Sequence, residues 1–137
     1  MKINAYLNFD GNCEEAIGFY AKCLDGKVES LMRFGETPAA EHVPPEYAQR
    51  VMHAHLQVGD QSLMASDSTP QCPAKGFQGY SLALNVDSIA QAERVFAALS
   101  QGGNVDMPLA QTFWAVRFGA LTDKFGVSWL INCEKDA

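Results

Sequence analysis

The chain has 137 residues, 47% of them hydrophobic and 19% charged, with a formal net charge of −6. That balance suits one globular domain rather than a disordered chain, and the acid excess with scattered Lys and Arg argues against a nucleic-acid partner. No stretch approaches the roughly 18 apolar residues of a membrane helix, and Met1-Lys2-Ile3-Asn4-Ala5 lacks the apolar run of a secretory signal.

Ile3 to Phe9 is a β-rich run that ends at the turn signal Asp10-Gly11. Asn12 is placed to cap a helix, with Glu15 as the reciprocal partner three residues on. Ala16, Ile17, Tyr20, Cys23 and Leu24 recur at helical spacing and form one apolar face. Asp25-Gly26 should end that helix, with Gly supplying the left-handed residue. Val28 to Phe34 reads as a second strand. Gly35 to Arg50, with Pro38, Pro44 and Pro45, reads as a long loop, either a lid or an ordinary insertion. Val51 to Val58 and Gln61 to Ser66 read as a hairpin joined at Gly59-Asp60.

The same plan then returns 76 positions on, where Ala16 lands on Ala92, Tyr20 on Phe96 and Gly26 on Gly102. Tyr80 to Val86 is a strand, Ser88 caps with Gln91 as partner, and Ala92, Val95, Phe96 and Leu99 form the helix face. Gly102-Gly103 closes the helix, and a weak strand lies near Val105. A long strand pair follows at Thr112 to Leu121 and Val127 to Asn132, with Asp123 as a turn residue bonding its own backbone. The expected architecture is α+β: one domain over 1–137 built from a first βαβββ module (1–67), a connector (68–79) and a second module (80–137), with curved mixed sheets around a cleft.

Alternation along the strands sorts the side chains. Met52, Ala54, Leu56 and Val58 should cover the helix. Val51, His53, His55 and Gln57 should look the other way, with Ser62, Met64 and Ser66 beside them. The register sets His55 opposite Met64 and His53 opposite Ser66, and a one-residue slip would turn them all over. A wall this polar marks a binding candidate. In the last hairpin Trp114, Val116 and Phe118 share one face, and Phe113, Ala115 and Arg117 the other. Trp114 and Trp129 are each either core or a stacking surface for a planar ligand, with core the preferred reading for Trp129. Arg117 either pairs with an anionic ligand or meets a carboxylate on a neighbouring strand. Tyr6, Asn8 and Asn132 could add aromatic or amide contacts, but alternation alone does not fix their facing.

His53 and His55 form an H-x-H that points two imidazoles the same way, as a metal site needs. A third ligand would have to come from Asp67, Glu29 or Glu36. The four cysteines, at 13, 23, 72 and 133, have no zinc-knuckle or redox-pair spacing. They read as small hydrophobes kept reduced in the cytoplasm.

Tyr6-Leu7-Asn8-Phe9-Asp10-Gly11-Asn12-Cys13, Ala16-Ile17, Phe19-Tyr20, Val51-Met52-His53-Ala54 and Leu63-Met64-Ala65-Ser66-Asp67 resemble the PhnB-like branch of the vicinal oxygen chelate superfamily. So, most specifically, does the stretch from Thr112-Phe113-Trp114 to Trp129-Leu130-Ile131-Asn132. The superfamily includes glyoxalase, extradiol dioxygenases, and fosfomycin and bleomycin resistance proteins. The resemblance implies a cavity between two curved sheets and a homodimer. Catalytic members hold a divalent metal through His, Gln or Glu on the first and last strands of each unit. Those slots fall here near Ala5, Leu63 or Met64, Ser81 and Leu130, none of them a usual ligand. Some relatives are labelled ubiquinone-pathway methyltransferases, but no glycine-rich turn follows a first parallel strand to cradle a nucleoside cofactor.

The expectation is a small-molecule-binding protein without the usual metal or any cofactor, with His53, His55, Met64, Ser66, Trp114 and Arg117 as site candidates. The alternatives are a metal-dependent lyase, isomerase or dioxygenase with a rearranged ligand set that includes His53 and His55, or a structural dimer with no ligand.

Overall fold

A computed structural model describes residues 1–137. The chain divides into two compact units, 1–76 and 77–137. The first unit runs β1 (Ala5–Phe9), α1 (Cys13–Leu24), β2 (Lys27–Arg33), β3 (Val51–Val58) and β4 (Gln61–Asp67). Its sheet order is β1-β4-β3-β2, with β1 parallel to β4 and the other pairs antiparallel. The second unit runs β5 (Leu82–Asn85), α2 (Ile89–Ser100), β6 (Asn104–Ala110), β7 (Arg117–Thr122) and β8 (Ser128–Cys133). Its order is β5-β8-β7-β6, with β5 parallel to β8. Each unit is therefore an α+β layer pair with one helix on one face of a four-stranded mixed sheet.

The helix-facing side is the core in both units. In the first, Ala16, Ile17, Tyr20 and Cys23 of α1 are buried with Leu7, Phe9, Ala54, Leu56, Leu63 and Ala65 of the sheet. In the second, Ala92, Val95, Phe96 and Leu99 of α2 are buried with Leu121, Trp129, Ile131 and Cys133. Each large side chain so covered contributes about 1.5–3 kcal/mol. Gly119 makes room for this packing: a Cβ there would stand 2.7 Å from the Phe96 ring. Asp123 accepts from its own turn at Phe125 N (2.8 Å) and Val127 N (3.1 Å). It also accepts from the indole Nε1 of buried Trp129 at 2.8 Å, so this indole keeps its hydrogen bond inside the core.

Several local expectations need correction. Asn12 precedes α1 but its side chain makes no capping bond. Asp67, at the end of β4, replaces it: Oδ1 accepts from Gly11 N (2.9 Å) and Cys13 N (3.0 Å), and Oδ2 from Val51 N (2.9 Å). A carboxylate that accepts three amides outcompetes a neutral amide side chain at a helix start. Val51, which alternation assigned to the polar face, is buried. At the other end of α1 the left-handed residue is Asp25, at φ +54°, and not Gly26. Gly26 is needed for space instead, because a Cβ there would lie 2.9 Å from the Gln57 carbonyl oxygen. In the second unit Ser88 Oγ does accept from Gln91 N at 3.1 Å.

β1 begins at Ala5, not Ile3, and β7 begins at Arg117, not Thr112. Thr112 is the reason for the second difference. Its Oγ1 accepts from Trp114 N and Ala115 N, and its N–H donates to the Ala115 carbonyl. A hydroxyl that satisfies local amides turns the backbone away from the ladder. The 35–50 segment is not featureless: it holds 3₁₀ turns at Phe34–Glu36, Pro38–His42 and Pro45–Tyr47. Its ends are tied by Phe34 N to Arg50 O (3.1 Å) and Gly35 N to Ala48 O (2.9 Å).

Two expected outcomes follow from this packing. Asp67→Ala leaves three amides without an acceptor and should cost about 3 kcal/mol in urea unfolding, against under about 0.5 kcal/mol for Asp60→Ala in the exposed hairpin turn. A loss below about 0.5 kcal/mol for Asp67→Ala would contradict the capping role. Cys13, Cys23 and Cys133 are buried and Cys72 is exposed. Burial, with the Asp67 and Glu14 charges adding to it, pushes the Cys13 thiol up to about 12. Alkylation of the native protein at about pH 8 should therefore label Cys72 alone by mass spectrometry, and a second rapid label would contradict this packing.

Candidate functional site

The face of the first sheet turned away from α1 is built by register. β3 lies between β2 and β4. Ala54 pairs with Ala65 and Leu56 with Leu63, and all four are buried under the helix. Their neighbours His53, His55 and Gln57 therefore leave the opposite side, where His55 pairs with Met64 and Gln57 with Ser62. Parallel pairing of β1 sets Tyr6 beside Met64 and Asn8 beside Ser66, and this settles their facing. On β2, Ser30 pairs with His55 and Met32 with His53.

The polar groups on this face bond one another. Tyr6 Oη lies 3.1 Å from His53 Nδ1, and the two rings are 5.7 Å apart. Ser66 Oγ donates to Asn8 Oδ1 at 3.4 Å. A longer chain orders His55. Gln57 Nε2 donates to the Gly59 carbonyl at 2.9 Å, which leaves its Oε1 to accept from Ser62 Oγ at 3.2 Å. Ser62 has one hydroxyl hydrogen. With that hydrogen on Gln57, Ser62 Oγ accepts from His55 Nε2 at 2.9 Å. His55 is thereby held as the Nε2–H tautomer, with Nδ1 open.

Trp114 and Arg117 belong to the second unit. Trp114 is 47% exposed, and its ring meets Phe118 edge-on at 5.1 Å. Its Nε1 donates to Asn132 Oδ1 at 3.3 Å, and Asn132 Nδ2 donates to Asn85 Oδ1 at 3.1 Å. Asn85 and Asn132 also line an open hollow of about 540 Å³ together with Asp87, Glu134 and Lys135. Arg117 has the parity of Gly119, which lies against Phe96 of α2. Its Nε lies 3.9 Å from Glu93 of α2, and its Nη1 donates to the Val116 carbonyl at 2.7 Å. Arg117 thus faces the helix and pairs with a carboxylate there, while Trp114 and Asn132 face the open side. His42, in the 35–50 segment, lies beside a second open hollow of about 710 Å³.

No group of three or more His, Cys, Asp or Glu side chains is gathered. Of the third ligands considered, Asp67 is committed to backbone amides and Glu36 to Arg33. Ser81 is bonded to Ser128 at 2.7 Å, and Leu63 is buried under the helix. Nor does the turn after β1 suit a phosphate or nucleoside cradle, because Asp67 already takes its Gly11 and Cys13 amides.

Comparison with known proteins gives a family and several relatives. The family described as 3-demethylubiquinone-9 3-methyltransferase matches residues 1–132. Protein YjdN of Escherichia coli (strain K12) is 35% identical over 145 residues, covering 98% of this chain and 97% of that protein. The crystal structure of protein PA1353 from Pseudomonas aeruginosa superposes with a TM-score of 0.91 at 49% identity, over 99% of each chain. A PhnB protein from Bacillus cereus gives a TM-score of 0.80 at 30% identity, over 97% of this chain and 99% of that one. The fold itself extends further, to a glyoxylase/bleomycin resistance protein/dioxygenase domain from Frankia sp. EAN1pec, at a TM-score of 0.70 and 14% identity. The chain belongs to the family described as 3-demethylubiquinone-9 3-methyltransferase, which it shares with a PhnB protein.

Proposed function

We propose that this protein binds a small organic molecule on the open face of its first unit and does so without a divalent metal. The observation that carries the reading is the ordered polar set on a sheet face that no helix covers: Tyr6–His53, His55–Ser62–Gln57 and Ser66–Asn8. Fixed donors and acceptors beside a thioether and a phenol ring suit a ligand with a flat apolar part and a few polar atoms. The family's methyltransferase description finds no support in the turn after β1, whose amides are committed to Asp67. The metal-dependent lyase, isomerase or dioxygenase reading would need a third donor beside His53 and His55.

We further propose a cytoplasmic homodimer. No disulfide joins the four cysteines, which suits a reducing compartment. Val105, Met107, Phe113 and Trp114 are exposed in the single chain, as expected of surfaces that another protomer covers. No helix is long and apolar enough to cross a membrane.

A thermal-shift screen of small organic compounds tests the binding reading. A compound that raises the Tm should bind at least about tenfold more weakly to His53→Ala and to Tyr6→Phe, and unchanged to Lys22→Ala on the outer side of α1. Equal affinity across all these variants would place binding elsewhere and overturn the reading.

A further inference from the structure

The same face holds a second set of donors. β3 presents His53 and His55, and the register puts Met32 of β2 beside His53 and Met64 of β4 beside His55. All four leave one side of three adjacent strands, since the intervening Ala54 and the neighbouring Leu63 and Ala65 are buried on the other. Directly opposed residues have Cβ atoms about 4.5–5.5 Å apart, and residues two apart on a strand lie about 7 Å apart. The long, unbranched thioether arms can span those gaps.

The hydrogen bonds leave one nitrogen open on each ring. His55 gives its Nε2–H to Ser62 and keeps Nδ1; His53 meets Tyr6 through Nδ1 and keeps Nε2. Metal-binding imidazoles show this division, with one nitrogen on the ion and the other anchored. No carboxylate takes part, so a hard divalent cation is poorly served. Thioether sulfur with imidazole nitrogen favours a soft cation, copper(I) above all.

We propose that this face binds one soft monovalent cation, copper(I), through His53, His55, Met64 and Met32. The cation adds to the small-molecule reading and does not depend on it. Silver(I) is a redox-inert probe for the test, offered with no organic compound present, so failure here leaves that reading standing. The full chain should carry Cys72→Ser, because the exposed thiol would compete for either ion. Of the five methionines, the ¹³C-methyl resonances of Met32 and Met64 should shift and saturate at one equivalent of silver. Those of Met1, Met52 and Met107 should stay in place. In copper(I) competition against a chromogenic chelator, Met64→Leu and Met32→Leu should each weaken binding at least about tenfold with the Tm unchanged. Shifts spread over all five methyls, no shift at Met32 and Met64, or copper affinity unchanged in both Leu variants would overturn the proposal.

Discussion

Each four-stranded sheet has one helix, and one helix covers one face. That constraint decides what every other residue is free to do. On the covered side, alternation sends Leu7, Phe9, Ala54, Leu56, Leu63 and Ala65 under α1, and Leu121, Trp129 and Ile131 under α2. On the other side the same alternation delivers whatever the sequence places between them. In the first unit those residues are imidazoles, hydroxyls, amides and thioethers; in the second they are amides and aromatic rings. The energy of folding comes from one face, and the other is left available for recognition.

Buried carboxylates fix where that division falls. Asp67 ties the start of α1 and the start of β3 to the end of β4 through three amides. These contacts join the start of the helix to the sheet, next to the β3–β4 pairing that turns His55 outward. Asp123 does related work in the second unit, closing the β7–β8 turn and holding the Trp129 indole. Outside the core, Asp10 is tied to Ser68 and Arg50, and these bonds hold its carboxyl below the usual carboxylate range.

Much of this was legible in the sequence because it rests on periodicity. The β3–β4 hairpin, its Gly59-Asp60 turn and the pairing of His55 with Met64 follow from a period of two. The Ser88 cap follows from local spacing. What the sequence hid depends on contacts far apart along the chain. Asn12 looked like the cap of α1 because its partner is usually local, whereas Asp67 lies 54 residues from Cys13. Thr112 to Val116 carried strand-forming residues, but the Thr112 hydroxyl bends them into a turn. Arg117 was a candidate for an anionic ligand or a neighbouring carboxylate; the carboxylate is Glu93, on the helix rather than on a strand. Tyr6 joins His53 only through the parallel pairing of β1 with β4, a long-range contact that alternation within β1 cannot fix.

The functional reading therefore rests on order in side chains that a bare strand face would leave solvated and mobile. His55 is the sharpest case, because the direction of its hydrogen bond is set three groups away, at the Gly59 carbonyl. A long-range ¹H–¹⁵N spectrum of the histidine rings at neutral pH reads this directly. A preorganised face requires His55 to appear as the single Nε2–H tautomer. An Nδ1–H pattern for His55, or the fast-averaged pattern of a free imidazole, would show that the face is not organised for binding.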